Sequence, residues 1–267
     1  MLHYRSSRAA ALLGAALMVF TSAQGLQADD DESELHDDEA QSVVHGMPAD
    51  PSKPWRIAQG GRIYDNWWEA LDREEPEGTH PRCPASAEQS GEVTWRCKEC
   101  HGWDYKGAAG IYRKGSHYSG IVGIEDAIGK PVGEIAALMR EPLHGYTAEM
   151  ITDAELENLA LFVSEGQVDM AAFIDLETRA VIAGNPERGR EVFQTICATC
   201  HGFDGKLLDW GEGDESAYIG TEAADLPDEV LNKILNAHPG VQMVNLRAFP
   251  LQDAIDVLSY AATLPTQ

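Results

Sequence analysis

One pentapeptide pattern occurs twice. Cys97-Lys98-Glu99-Cys100-His101 returns as Cys197-Ala198-Thr199-Cys200-His201, and each copy is followed by Gly, an aromatic residue and Asp. The two copies use four of the chain's five cysteines. In a helix, two cysteines three positions apart lie on one face, and the histidine just after the second projects beside them. An odd cysteine total argues against a plain disulfide framework. A shared zinc site is also disfavoured, because the pairs stand 100 residues apart and each carries its own histidine.

Cys-x-x-Cys-His is the attachment pattern of c-type haem. Each cysteine can bond a haem vinyl group as a thioether, and the histidine can reach the iron. The expected cofactor is therefore two haem c, held by Cys97, Cys100, Cys197 and Cys200, with His101 and His201 as the first iron ligands.

The motifs sit inside a longer repeat. Upstream, Gly60-x-x-x-Tyr64 matches Gly189-x-x-x-Phe193. Downstream, Pro131 and Pro227 each open a helix, since proline at a first turn gives up an N–H that would be unpaired there anyway. His144 and His238 follow these helices and are read as partners of helix C-termini. Each half closes with an amphipathic helix: Leu156, Leu159, Ala160 and Val163 in one, Leu251, Ala254, Ile255, Leu258 and Ala262 in the other. The first half carries an insert over about 65–94, which Pro76, Pro81, Pro84 and Gly91 make mostly irregular. It contains Trp67 and Trp68, expected to pack over loop and cofactor. It also holds Cys83, the odd cysteine, read as a free thiol, an intermolecular bridge or a thiolate near the first iron.

Each half thus resembles a small class I cytochrome c domain, and the whole resembles a periplasmic dihaem c-type cytochrome over roughly residues 55–265. The resemblance implies an all-α fold of two tandem domains, 55–180 and 181–267. It implies a methionine as sixth iron ligand, on the loop before the last helix: Met150 in the first half and Met243 in the second. His117, in the Gly-rich stretch after the first motif, is the rival for Met150. Met139 and Met170 read as core.

Residues 1–28 read as a secretory signal: Arg5 and Arg8, then an apolar run from Ala9 to Phe20 too short to span a bilayer, then small residues. Asp29–Ala40 carries eight acids in twelve positions and, with the proline-marked stretch to residue 54, reads as a disordered tail and linker. No later segment reaches membrane-spanning length. The formal charge is -24, which excludes nucleic acid as a partner and disfavours anionic membrane surfaces. The expected function is electron transfer in the periplasm, with partners that present a basic docking face and association that weakens with salt. The alternative is a dihaem oxidoreductase, similar to thiosulfate dehydrogenases, with an open or labile site at the first haem.

Overall fold

The computed structural model describes residues 44–267 apart from residue 214. The segment read as a signal, and the acidic run, lie outside the described residues. The described chain is helical. Among its residues the extended segments make two isolated bridges, Gly107 with Val122 and Ile174 with Val181, and no sheet.

The first half holds α1 (Lys53–Leu71), α2 (Cys97–His101), α3 (Val132–Arg140) and α4 (Asp153–Leu161). The second holds α5 (Pro186–Val192), α6 (Ala198–His201), α7 (Ile219–Asp225), α8 (Pro227–Asn236) and α9 (Leu251–Ala261). Wider single turns prolong α4 through Phe162–Gly166 and α5 through Phe193–Cys197. The helix starts are written locally. Thr152 Oγ1 accepts from Glu155 N while Glu155 Oε2 accepts from Thr152 N, a reciprocal cap worth about 1 kcal/mol. Asn185 Oδ1 accepts from Glu187 N and Arg188 N at the head of α5. Pro131 and Pro227 stand at the heads of α3 and α8, as the sequence indicates. The short α7 has no counterpart in the first half and no apolar periodicity that would announce it.

Both halves are built on the same crossing. In the first, α1 packs on α4, and in the second α5 packs on α9. Each contact passes through a glycine. A Cβ on Gly60 would stand 2.1 Å from Asn158 O, and one on Gly189 would stand 1.8 Å from Asp256 O. The spacing to an aromatic residue then has a physical meaning. Tyr64 and Phe193, one turn further on, are both buried under the closing helices. Leu156, Leu159, Ala160 and Val163 are buried beside Tyr64, and Ala254, Ile255 and Leu258 beside Phe193, whereas Leu251 is exposed.

The insert differs from its sequence reading at its start. Helix α1 does not stop near Tyr64. It breaks at Asn66, whose φ of -151° and ψ of 100° are non-helical, and resumes. Asn66 Oδ1 accepts from Glu69 N and so caps the second segment. That segment buries Trp67 and Trp68 edge to face, 5.6 Å between ring centres. The irregular chain begins only after Leu71, where Asp72 takes a left-handed φ of 52°. The stretch read as a linker is tied down near its start as well. Val44 O accepts from Arg62 Nη1 at 3.0 Å, and His45 Nδ1 lies 3.3 Å from Ala70 O.

The two halves meet along α1 and α8. Gly61 lets the two helices approach, since a Cβ there would lie 2.2 Å from Asn236 Cγ. Asn232 Nδ2 donates to Tyr105 Oη at 3.2 Å. Arg247 donates through Nη2 to Asn236 Oδ1 at 2.6 Å and through Nη1 to Gly166 O at 3.2 Å. Arg179 pairs with the fully buried Asp228. Removing one side of such a network strands buried acceptors, at about 1–3 kcal/mol each. Arg247→Leu is expected to lower stability by about 3 kcal/mol in urea unfolding. An unchanged midpoint would mean that this contact does not join the halves.

Candidate haem-attachment sites

The two motifs fold alike beyond their shared letters. Gly102 and Gly202 follow the histidines with φ of 79° and 81°, a region that favours glycine. The His101 carbonyl accepts from Gly107 N at 2.8 Å and the His201 carbonyl from Leu207 N at 3.0 Å. Asp104 Oδ1 accepts from Lys106 N at 3.2 Å and Asp204 Oδ1 from Lys206 N at 3.1 Å. The Gly-aromatic-Asp that follows each motif is therefore a turn that folds the chain back beneath the histidine.

All five cysteines are free, so neither motif is closed as a disulfide. Burial is the main reason that Cys97 and Cys197 are pushed up to about 11 and Cys100 to about 12. These are neutral thiols, not thiolates poised for zinc. Among the described residues no group of three or more His, Cys, Asp or Glu side chains converges to hold a metal ion, so the four motif cysteines do not share one site.

The histidines are set up as nitrogen ligands. His101 Nδ1 lies 2.8 Å from Val122 O, which fixes the ring and leaves Nε2 free. Burial drives this imidazole down to about 4, against the opposing hydrogen bond, so the ring is neutral at pH 7. His144 faces it, with ring centres 6.3 Å apart. Burial also lowers His201, whose Nδ1 is buried without a partner among the described residues. Phe193 and Trp210 stand 6.3 Å and 5.9 Å from the His201 ring.

The surroundings of Cys97 are aromatic. Tyr146 Oη lies 3.9 Å from Cys97 Sγ and donates to Trp95 O at 2.8 Å, and Trp67 and Trp95 each stand 6.3 Å from its ring. Tyr64 donates to Gly102 O at 2.6 Å and so ties the end of the motif to α1. Lys98 and Glu99, between the cysteines, are both buried and paired at 3.2 Å.

The remaining sequence candidates separate. His117 stacks on Tyr112, ring centres 4.8 Å apart, and its Nδ1 lies 2.6 Å from Glu99 Oε1. Burial raises Glu99, but the contacts from His117 and Lys98 bring it below its usual range, so His117 is held by a carboxylate. Cys83 lines a cavity of about 10 Å³ with Glu99, Cys100 and His117. Burial first and the Glu99 charge second push its thiol up, which disfavours a thiolate ligand. Met150 and Met243 are both half-buried on the loops before α4 and α9. Met139 and Met170 are buried in the core.

A group bound at these motifs needs an apolar wall. Large apolar side chains are exposed in the loops that flank the motifs: Leu207 and Trp210 after His201, and Val241, Val244 and Phe249 around Met243. Leu138 and Leu143 are exposed just ahead of His144. Free thiols, neutral imidazoles with open nitrogens and uncovered apolar loops fit covalent haem. The recurrence of Asp104 and Asp204 after each motif was visible in the sequence, but their part in the turn was not. Nor was the approach of His144 to His101, because it depends on where α3 ends in space.

Compared with protein-family models, curated proteins and solved structures, the chain finds no match.

Proposed function

We propose that this chain is an exported electron carrier that binds two haem groups covalently, one at each Cys-x-x-Cys-His. The single observation that carries the reading is the duplicated local structure: two motifs with free cysteines, followed by the same turn and set under the same glycine-mediated helix crossing. The crossing supports two class I cytochrome c-like domains, 55–180 and 181–267, the first enlarged by its insert. Bound there, each haem would supply reversible one-electron exchange at iron.

The chain's own residues hold and shield the group. Cys97 with Cys100, and Cys197 with Cys200, would form the thioethers. His101 and His201 would ligate through an open ring nitrogen, His101 kept in register by Val122 O. Tyr146, packed against Trp67 and Trp95, stands beside Cys97. Met243 stands where the second iron's sixth ligand is expected. For the first iron the choice lies between Met150 and a nitrogen ligand.

The formal charge of -24 directs docking to basic redox proteins. Arg5, Arg8 and the apolar run behind them direct the chain to the periplasm. Among the described residues no helix is long and apolar enough to cross a membrane.

The test is a haem count on chain expressed in a host that attaches haem c. After denaturation and gel filtration, the pyridine haemochrome spectrum should give two haems per chain. Haem that washes out on denaturation, or none at all, would overturn the reading.

A further inference from the structure

The first half carries two half-buried imidazoles that confront each other. His101 turns Nδ1 to Val122 O at 2.8 Å, and His144 turns Nδ1 to Leu138 O at 3.3 Å. With each Nδ1 facing a carbonyl, both Nε2 lone pairs are left open. The ring centres are 6.3 Å apart. Two imidazoles that share one metal through nitrogens at about 2.0 Å have ring centres roughly 6 Å apart. The observed separation of 6.3 Å matches that of two imidazoles sharing one iron.

His144 is held in that position from two sides. Its backbone N–H donates to Glu141 O at 3.0 Å, and Gly145, next along, takes a φ of 69°. From the insert, His80 Nε2 lies 2.9 Å from the His144 carbonyl, while the His80 ring packs edge-on against Trp95 at 4.4 Å. The insert thus reaches across to the loop that carries His144. The second half has no insert, and its equivalent is different. His238 turns Nδ1 to the neighbouring Pro239 O at 2.7 Å, and the rings next to His201 are Phe193 and Trp210.

The other candidates are placed otherwise. His117 is engaged by Glu99 and Tyr112. Met150 lies six residues beyond His144, in a turn whose N–H donates to Thr147 Oγ1 at 3.4 Å, and packs against the core.

We propose that His144, not Met150, is the sixth ligand of the first haem iron, and that the insert, through His80, holds it there. The proposal rests on the haem reading above. It makes the two haems unlike: imidazole on both faces of the first, imidazole and thioether on the second. Methionine raises a haem potential relative to histidine, so the first haem becomes the more reducing of the two.

The test uses the full chain carrying its haems. Near-infrared magnetic circular dichroism of the oxidised protein should show one bis-imidazole haem and one with a sulfur-to-iron charge-transfer band. Met150→Ala should leave that band unchanged, and Met243→Ala should abolish it. His144→Gly should turn the first haem high-spin and open to cyanide, and added imidazole should restore the low-spin spectrum, a rescue that a merely structural role would not give. Two covalent haems with sulfur bands from both, halved by Met150→Ala, would sink this proposal alone. A chain without covalent haem would sink the underlying reading and this proposal with it. Should His144→Gly fail to fold, the band intensity in Met150→Ala still decides.

Discussion

Replacing Cys97 and Cys100 together by serine is expected to halve the covalent haem per chain, and replacing all four motif cysteines to abolish it. The effect is all-or-none at each motif, because a serine hydroxyl does not form the thioether. The structure adds a thiol count to this expectation. All five sulfurs are free of disulfides. In the haem-loaded chain four of them would be consumed, so a thiol reagent added after denaturation should find one reactive group, Cys83. In the doubly substituted chain it should still find one, because the two lost cysteines were not reactive. Five reactive thiols in the purified wild-type chain would refute attachment at both motifs. Substituting one motif also reports on the other. The halves have separate helix crossings, so the intact motif should keep its own haem and its own spectrum.

The second large effect comes from glycine. Gly189→Ala is expected to destabilise the chain by about 3 kcal/mol, at the upper end of ordinary overpacking. The added methyl would meet Asp256 O at 1.8 Å, which is backbone and has no rotamer by which to move aside. Helices α5 and α9 would have to separate. Gly60→Ala should act the same way in the first half, against Asn158 O at 2.1 Å. At a few degrees per kcal/mol for a chain of this size, each should lower the melting temperature by roughly 10 °C. Gly133→Ala is the control. Nothing lies within 4 Å of a Cβ there, and alanine favours a helix over glycine by up to about 1 kcal/mol. If Gly189→Ala melts with the wild type, α5 and α9 do not cross in close contact at this glycine.

These glycines show how far the sequence reading reached. Their spacing to Tyr64 and Phe193 was visible, and so was the repeat they belong to. That both touch the closing helix was not, because a glycine in a string carries no mark of what stands opposite it. The insert was read as mostly loop over about 65–94, because Pro76, Pro81, Pro84 and Gly91 mark it as irregular. Asn66 instead caps a new segment, and burial of Trp67 and Trp68 sustains it.

Much about this protein is local and therefore written in order along the chain. The paired motifs, the turn after each histidine, the proline helix starts and the Thr152–Glu155 cap all depend on residues within a few positions of each other. The charge that limits its partners is a sum and needs no fold. The tertiary structure alone decided which side chains meet. It set His117 against Glu99, laid Cys83 and Cys100 along one small cavity, and brought His144 to 6.3 Å from the His101 ring. His101 and His144 lie on separate segments, and only the packing of α3 and the loops on either side of it fixes the distance between them.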